Sequence, residues 1–298
     1  MTPVWSVVIP TRNRVDRLRN CLRALAAQNY PREQFEVIVV DDGGDREIEP
    51  LEPEFLKQLQ IRLVRQPQTG PAVARNRGAS LARGEFLAFT DDDCTPIPDW
   101  LSELERVLRP NPNALVGGRV LNALGRNPYS TASQLLIDYL CAAYTHNGQP
   151  RFLTSNNIAL TREAFVRLGG FDESFPLPAA EDRALSEHWR QSGGDILYVE
   201  GPVVHHLHNL TLGGFLRQHF RYGRGARHFS LVCKRNGWEA IRIEPLGFYL
   251  GLIAFPLKRV SALPVSRYWV SILLFTSQVA GVAGYAREAI YGKAVPVK

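Results

Sequence analysis

The stretch Phe86-Leu-Ala-Phe-Thr-Asp-Asp-Asp-Cys94 joins an apolar run directly to three adjacent carboxylates, Asp91, Asp92 and Asp93. The apolar part has the length and composition of a buried strand. Three carboxylates a few ångströms apart repel one another, and hard divalent cations bind oxygen ligands. The simplest interpretation is a metal site at the carboxyl end of a strand. The alternative is a solvated acidic turn that only ends the strand.

Two upstream segments repeat this pattern of an apolar strand followed by polar residues. Trp5-Ser-Val-Val-Ile-Pro10 is rich in β-branched residues and leads into a basic turn. Phe35-Glu-Val-Ile-Val-Val40 leads into Asp41 and Asp42. Between these strands we expect an amphipathic helix. Its apolar face would contain Leu18, Cys21, Leu22 and Leu25.

Strands that alternate with helices and form continuous apolar runs are typical of a parallel sheet covered on both faces. In open α/β sheets, ligands bind outside the carboxyl ends of the strands. The sequence therefore predicts an α/β fold with one crevice at this edge. The polar residues expected there are Thr11, Asp41, Asp42 and the three aspartates at 91–93.

The composition restricts the class of protein. The chain has 298 residues, 45% of them hydrophobic, and a net charge of +6. This length allows one elaborated domain with an appendage. Because the four cysteines are too scattered for a disulfide framework or a zinc site, we expect a reducing, cytoplasmic setting. We expect no signal peptide, since the first strand begins near Val4.

The positive charge suits an anionic lipid surface or a pyrophosphate-containing substrate. The arginines are dispersed among expected helices, and the sequence has neither an aromatic stacking platform nor a DNA-reading motif. Nucleic acid is therefore not an expected partner. The oligomeric state is not predicted.

Taken in order, five motifs resemble those of the family-2 glycosyltransferases, which use nucleotide sugars and have the GT-A fold. They are Val7-Val-Ile-Pro-Thr-Arg-Asn-Arg14, Val37-Ile-Val-Val-Asp-Asp-Gly43, Gly70-Pro-Ala-Val-Ala-Arg-Asn-Arg-Gly78, Gly84-Glu-Phe-Leu-Ala-Phe-Thr-Asp-Asp-Asp93, and Gly169-Gly-Phe-Asp-Glu173 with Glu181-Asp182. The resemblance covers about residues 4–230, and no single motif would suffice. It implies a Rossmann-like, mostly parallel sheet flanked by helices.

The resemblance also implies a nucleotide-sugar donor and a divalent cation, Mn²⁺ or Mg²⁺. Asp91 and Asp93 match the outer members of the DXD motif. Asp93 is the expected metal ligand, and Asp91 or Asp92 is expected nearer the ribose. Arg75 is expected at the nucleotide or its diphosphate, where positive charge stabilises the leaving group. Its alternative is a helix-surface arginine. The residues expected to bind the nucleotide further include Pro10, Thr11, Arg12, Asp41 and Asp42.

Asp182 lies in Pro178-Ala-Ala-Glu-Asp-Arg-Ala-Leu-Ser186 and matches the family's Glu-Asp motif. It is the expected base, which takes the proton of the acceptor hydroxyl during an inverting transfer. Glu181 is expected to contact the acceptor or orient this base. Alternatively, both carboxylates only interact with a helix macrodipole. Contacts to the donor sugar or the acceptor are expected, by resemblance, from Asn157, Arg162 and Gly170.

A histidine cluster follows another expected strand, in Val203-Val-His-His-Leu-His208. In many relatives a histidine of this region completes the coordination of the metal. His206 is the first candidate, and His205 and His208 are the alternatives. Strand alternation places His206 and His208 on one face and His205 on the other, so the three cannot bind a metal in the same way.

The C-terminal segment changes character. Residues 245–257 are apolar and uncharged, and residues 268–286 are uncharged between Arg267 and Arg287. The second stretch is about long enough to span a bilayer. It is only moderately apolar, however, which favours a helix lying in, or partly entering, an anionic leaflet. A buried helical hairpin or an oligomer interface is the alternative.

The sequence thus predicts three parts: a nucleotide-sugar-binding half at residues 1–110, an acceptor-binding and catalytic half at 111–240, and a membrane-associated helical tail at 241–298. The expected function is metal-dependent transfer of one sugar, with inversion, from a UDP-sugar or another nucleotide sugar. Its expected acceptor is lipid-linked or a polysaccharide precursor. The expected location is the cytoplasmic face of the inner (plasma) membrane, with peripheral or monotopic attachment.

Two other functions share part of this pattern. A sugar-phosphate nucleotidyltransferase shares the need for nucleotide and metal, but its glycine-rich basic loop is missing after the first strand. A non-catalytic carbohydrate-binding relative has no need for the aspartate cluster or for Asp182. The segment at residues 217–226 departs from the Gln-x-x-Arg-Trp signature of processive synthases, which favours one sugar per encounter.

Overall fold

The structure is a computed structural model, which describes residues 2–45, 48, 51–146, 148–175, 177–239, 244–258 and 263–292. The strands are β1 (Trp5–Thr11), β2 (Phe35–Asp42), β3 (Gln60–Gln66), β4 (Phe86–Phe89), β5 (Cys94–Pro96), β6 (Ala114–Asn122), β7 (Thr145–His146), β8 (Gln149–Pro150), β9 (Ile158–Thr161) and β10 (Asp195–His206). The α-helices are α1 (Val15–Ala26), α2 (Leu51–Phe55), α3 (Pro71–Leu81), α4 (Trp100–Leu108), α5 (Pro128–Ala143), α6 (Arg162–Leu168), α7 (Glu181–Gln191), α8 (Leu212–Asn236), α9 (Leu246–Lys258) and α10 (Arg267–Tyr291).

The predicted N-terminal elements are present. Val7, Val8 and Ile9 of β1 are fully buried, because helices cover both faces of this central strand. The apolar stripe of α1 is buried as its spacing predicts. It consists of Leu18, Cys21, Leu22 and Leu25.

Eight strands form one sheet in the order β3-β2-β1-β4-β9-β6-β10-β5. The pairs β3-β2, β2-β1, β1-β4 and β6-β10 are parallel, whereas β4-β9, β9-β6 and β10-β5 are antiparallel. The prediction of an α/β fold with a mostly parallel sheet flanked by helices is confirmed.

Strand direction determines which loops meet. Since β9 is antiparallel to both β4 and β6, the strands β4, β6 and β10 all run the same way as β1 and β2. The loops that follow β1, β2, β4 and β10 therefore lie at one edge of the sheet, and the end of β9 lies at the opposite edge.

The C-terminal helices pack onto the sheet domain through α5 and α8. Val270, Leu273 and Leu274 of α10 are buried in one apolar cluster with Leu135 of α5 and Phe215 of α8. Among the described residues, α10 is the only helix long and apolar enough to cross a membrane, and 33% of its most apolar window is buried in the protein. The predicted boundary at 240/241 lies outside the described residues. The division into three parts stays a prediction.

Helices α8 and α10 approach each other closely at glycines. A Cβ on Gly223 would lie 1.8 Å from the carbonyl oxygen of Gly281, and a Cβ on Gly284 would lie 1.9 Å from that of Phe220. Because these contacts are with backbone atoms, no side-chain rotation relieves them.

We expect Gly284→Ala to separate the two helices and to lower the free energy of unfolding by about 1–3 kcal/mol. A thermal melt followed by circular dichroism measures this as a lower Tm. Gly213→Ala is the matched control, since nothing lies within 4 Å of a Cβ there and the helix favours alanine. An unchanged Tm for Gly284→Ala would contradict the close packing of α8 on α10.

Candidate active site

A cleft of about 1610 Å³ opens at the edge of the sheet where β1, β4 and β10 end. Its inner end is polar and charged. The charged and imidazole side chains of the predicted site that line it are Arg75, Asp91, Asp93, Glu181, Asp182 and His206. The structure thus brings side chains from four separate segments of the chain to one surface.

Asp92 connects the loop after β4 to the loop after β1. Its carboxylate accepts hydrogen bonds from the Thr11 hydroxyl (2.7 Å) and from Arg14 Nη1 (3.0 Å). Burial raises the pKa of Asp92 to about 6. The negative charge of Asp93 also raises this pKa, whereas the positive charge of Arg14 lowers it. With 2% of its surface exposed, Asp92 positions the loop rather than facing the cleft.

Asp93 does face the cleft and is surrounded by positively charged or ionisable groups. Arg14 Nη1 and Arg17 Nη1 donate hydrogen bonds to Oδ2 at 3.2 and 3.1 Å, and His206 Nε2 lies 3.3 Å from Oδ1. Burial opposes ionisation of Asp93, but His206 and Arg14 hold the pKa of this carboxyl well below its usual range. Asp93 is therefore a carboxylate at neutral pH.

The histidines divide as strand alternation predicts. His206 and His208 stack on one another with ring centroids 4.7 Å apart, and both line the cleft. His205 pairs through its backbone with Thr95 of β5 and does not line the cleft. Burial favours neutral His206, but the hydrogen bond and charge of Asp93 raise its pKa. Burial and the charge of His206 lower the pKa of His208 to about 4.

The chemistry of the donor set fits a small divalent cation. A carboxylate oxygen of Asp93 and an imidazole nitrogen of His206 are ligands that Mn²⁺ and Mg²⁺ accept, and Asp91 adds a second carboxylate at the cleft surface. Cys94 lies within the same group, yet it is fully buried and its thiol pKa is raised well above the usual value. Because the hard cations Mn²⁺ and Mg²⁺ prefer oxygen ligands to a buried thiol, we assign Cys94 to packing.

Arg75 joins the aspartate cluster to the Glu-Asp motif. It lies in the first turns of α3, where its Nη2 donates to Asp91 (2.8 Å) and its Nη1 donates to Glu181 (2.9 Å). The guanidinium also lies over the ring of Phe171, 5.4 Å from its centroid. Arg75 is thus a buried bridge between two carboxylates, and the helix-surface alternative is wrong.

Gly170 directly precedes Phe171, whose ring lies against the Arg75 guanidinium. It has φ +76°, and a Cβ there would lie 2.6 Å from Asn76 Oδ1. The same Asn76 oxygen accepts a hydrogen bond from the Phe171 backbone at 2.9 Å. Gly170 therefore permits the turn that places Phe171 against Arg75, and it does not itself line the cleft.

Asp182 lines the cleft and lies in the first turn of α7. This helix begins directly after Ala180, whose φ of +70° is unusual for a residue with a Cβ. Such backbone strain is of order 1–3 kcal/mol and is concentrated at functional sites. Burial raises the pKa of Asp182 against the opposing charge of Arg183. Burial and the charge of Asp182 likewise raise the pKa of Glu181 to about 7, although Arg75 opposes the rise.

The residues predicted to bind the nucleotide lie next to the cleft, at the ends of β1 and β2. Asp41 Oδ1 accepts from the Gly44 backbone at 3.0 Å, and its Oδ2 lies 3.4 Å from Arg65 Nε. Asp42 accepts from the backbone nitrogens of Thr69 (2.8 Å) and Gly70 (2.9 Å), which fixes the loop before α3. Asp42 therefore has the structural task of holding that loop.

The other members of this group surround the same loops. Pro10 pairs with Val40 within the sheet. Thr11 is buried against Asp92, and exposed Arg12 donates from Nε to the Gly43 carbonyl at 3.4 Å. None of these side chains is among those that line the described cleft. Their assignment to the nucleotide stays a prediction.

The structure does not bring Asn157 and Arg162 to the cleft. Asn157 is 1% exposed and uses its amide internally, accepting from Trp100 Nε1 (2.8 Å) and donating to Pro202 O (2.9 Å). Arg162 follows β9 at the opposite edge, where its Nε donates to Gly84 O at 3.0 Å. Both make structural contacts in this conformation.

Asn156, Arg14 and Arg17 line the cleft but were not predicted from the sequence. Asn156 lines the cleft, and its buried side-chain oxygen has no hydrogen-bond partner among the described residues. Arg14 and Arg17 bind the aspartates from α1 and the turn before it. The spacing of these arginines, three residues apart at the start of a helix, was a usable signal for one shared face. Nothing local distinguished Asn156 from Asn157.

Curated relatives resemble the chain over most of its length. Glycosyltransferase AglE of Haloferax volcanii is 29% identical over 229 residues, which cover 75% of this chain and 73% of the relative. The glucosyl-dolichyl phosphate glucuronosyltransferase of the same organism is 26% identical over 215 residues, covering 67% and 68%. Longer relatives match in part: the chain spans 34% of the Escherichia coli chondroitin synthase.

Solved structures share the fold. The mannosyltransferase PcManGT from Pyrobaculum calidifontis, in complex with GDP-Man and Mn²⁺, superposes with a TM-score of 0.64 at 21% identity, over 98% of this chain and 77% of its own. The GT-A fold expected from the motif series is confirmed. The family model described as "Glycosyl transferase family 2" matches residues 6–169, and the chain belongs to that family of glycosyltransferases.

Proposed function

We propose that the protein is an inverting, metal-dependent glycosyltransferase that moves one sugar from a nucleotide-sugar donor to a lipid-linked or polysaccharide-precursor acceptor. The observation that supports it is the single cleft lined by Arg75, Asp93, His206 and Asp182, which come from α3, the loop after β4, the end of β10 and α7. A diphosphate, a cation and an acceptor hydroxyl all require groups of these kinds.

On the donor side, Asp93 and His206 would hold Mn²⁺ or Mg²⁺, with Asp91 nearby. When bound, the cation neutralises charge that develops on the departing nucleoside diphosphate. Arg14 and Arg17 already contact Asp93 and add fixed positive charge beside the diphosphate site. Because these groups are held by a rigid loop and helix, they need little reorganisation during the reaction.

On the acceptor side, Asp182 is the base. As the acceptor oxygen forms its bond to the anomeric carbon, the carbon–oxygen bond to the diphosphate breaks on the opposite face and Asp182 takes the hydroxyl proton. Glu181 is held by Arg75 and orients this turn of α7. The raised pKa of Asp182 makes it a stronger base than an ordinary carboxylate.

The relatives support the substrate classes. PcManGT was solved with GDP-Man and Mn²⁺, and the Haloferax volcanii relative is named for a dolichyl phosphate-linked sugar. The exposed apolar residues of α9 and α10 support peripheral attachment to a membrane, for which we propose the cytoplasmic face. They include Leu250, Trp269, Ile272 and Phe275.

A donor screen tests this function. Purified protein is incubated with UDP-, GDP- and dTDP-sugars and Mn²⁺, and release of the free nucleoside diphosphate is measured. We expect slow hydrolysis of one donor, abolished by EDTA. Exchange of pyrophosphate into a nucleoside triphosphate would instead identify a nucleotidyltransferase, and binding without turnover of any donor would identify a non-catalytic relative.

The pH dependence follows from the carboxylate pair. Asp182 accepts a proton only when ionised, and the pKa values of Asp182 and Glu181 are both raised. The rate should therefore fall as the pH drops through the raised apparent pKa of the pair. Glu181→Gln removes a neighbouring negative charge, so the acidic limb of its kcat profile should move to lower pH. An unshifted limb would show that the two carboxyls do not titrate together.

A further inference from the structure

The outer end of the cleft is apolar and continuous with the protein surface. Leu250 of α9 and Phe275 and Val279 of α10 line it, yet these side chains are 58%, 56% and 54% exposed. Leu136 and Leu140 of α5 line the cleft at the same end. The cleft therefore opens onto an apolar face, which a polar acceptor would leave in contact with water.

Two arginines line the cleft together with this apolar wall and the carboxylates. Arg217 and Arg221 are one turn apart on α8, both line the cleft, and neither pairs with a carboxylate in the part of the chain that the structure describes. The turn that follows packs on α10 through Gly223. On the inner side, burial and the charge of Asp182 raise the pKa of neighbouring Tyr222. This turn of α8 thus lies near Asp182 on one side and packs on α10 on the other.

We infer that the cleft binds a lipid-linked acceptor through two subsites, an apolar groove for the chain formed by Leu136, Leu250, Phe275 and Val279, and an anion site for its phosphate formed by Arg217 and Arg221. The inference rests on the proposed function and specifies its acceptor. The lining of the cleft supplies the groups that such a molecule needs, namely apolar walls, unpaired positive charge and the Asp182 base.

Charge and shape favour this occupant. Exposed arginines without acidic partners attract an anion, and an arginine guanidinium hydrogen-bonds phosphate well. A free nucleotide would use the arginines but leave the apolar groove empty, and a neutral glycan would use neither. An isoprenoid or fatty chain linked through phosphate satisfies both subsites and leads outward to the exposed faces of α9 and α10.

The test is a calorimetric titration of the full chain, with UDP and Mn²⁺ present, using farnesyl phosphate, farnesol and inorganic phosphate as probes. We expect farnesyl phosphate to bind about 100-fold more tightly than inorganic phosphate and about tenfold more tightly than farnesol, because only it fills both subsites. Farnesyl phosphate binding no tighter than inorganic phosphate would overturn the inference.

Two matched variants separate the groove from the general surface. Val279→Asn should weaken farnesyl phosphate binding about tenfold. Ile272→Asn should leave it unchanged, since Ile272 lies on the same helix with a similar 53% exposure but outside the cleft. The double variant Arg217→Gln/Arg221→Gln should reduce farnesyl phosphate to the affinity of farnesol, with farnesol binding unchanged. Equal losses in Val279→Asn and Ile272→Asn would contradict a defined groove.

Other occupants give different results. Dihexanoyl phosphatidylglycerol that competes with farnesyl phosphate at equal affinity would assign the groove to bulk phospholipid. A dimer in sedimentation that Val279→Asn dissociates would assign it to a second copy of the chain. The same titrations also measure UDP binding. If the protein binds UDP and Mn²⁺ but not farnesyl phosphate, the acceptor inference is wrong and the proposed function still stands. If the wild-type protein binds no nucleoside diphosphate, the proposed function itself fails.

Discussion

Asp182→Asn should reduce turnover by roughly 10²–10⁴-fold while donor binding persists. The asparagine keeps the shape of the side chain and can still accept the hydrogen bond that Asp182 Oδ1 receives from the Arg183 backbone at 2.8 Å. It cannot take the proton of the acceptor hydroxyl. Steady-state kinetics of sugar transfer, together with calorimetry of the donor, separate these two effects.

A matched control makes the result specific. Asp195→Asn is the same change at an exposed carboxylate outside the cleft, and it should leave turnover unchanged. Near-normal transfer by Asp182→Asn would move the base elsewhere, with Glu181 the next candidate. That outcome would also make the bridge from Arg75 to Glu181 a catalytic contact rather than a positioning one.

Asp93→Ala should abolish the part of donor binding that depends on Mn²⁺. Asp93 is the only predicted DXD carboxylate that contacts His206 within the described residues, so its removal dismantles the candidate cation site. Adding Mn²⁺ should increase the affinity of the wild-type protein for UDP or GDP, and we expect this increase to be at least roughly 100-fold smaller in Asp93→Ala. Even residues that only hydrogen-bond to metal ligands contribute roughly 10–100-fold to metal affinity.

Two further measurements test this prediction. Removal of Asp93 also frees Arg17 and leaves Arg14 paired with Asp92 alone, so some metal-independent affinity for the diphosphate should remain, and it should weaken with salt. The electron paramagnetic resonance spectrum of bound Mn²⁺ should be lost in Asp93→Ala with UDP present. An undiminished Mn²⁺-dependent gain would remove Asp93 from the site.

Much of the fold follows from local patterns in the sequence. Continuous β-branched runs predict β1 and β2, and the helical spacing of Leu18, Cys21, Leu22 and Leu25 predicts the buried face of α1. These signals are local because side-chain direction alternates along a strand and repeats every 3.6 residues along a helix. The polar residues that follow β1, β2 and β4 could be placed at one edge for the same reason.

The direction in which a strand runs within the sheet cannot be predicted from such local patterns. The turn Ser155–Asn157 and Arg162 flank the same short strand, and the family resemblance suggested that Asn157 and Arg162 both contact the substrates. Because β9 pairs antiparallel with β4 and β6, its two ends lie at opposite edges of the sheet. Asn156 therefore reaches the cleft and Arg162 does not. No local pattern carries the direction in which a strand is inserted between its neighbours.

Residue order and local periodicity were sufficient to predict the α/β class, the family, and the positions of the aspartate cluster and the Glu-Asp motif. The folded structure was needed to show that Arg14 and Arg17 hold Asp93, that Arg75 bridges Asp91 and Glu181, and that α9 and α10 form one wall of the cleft. Those contacts join residues from distant parts of the chain. They arise when helices and strands bury their apolar faces together, and that packing is a property of the whole chain.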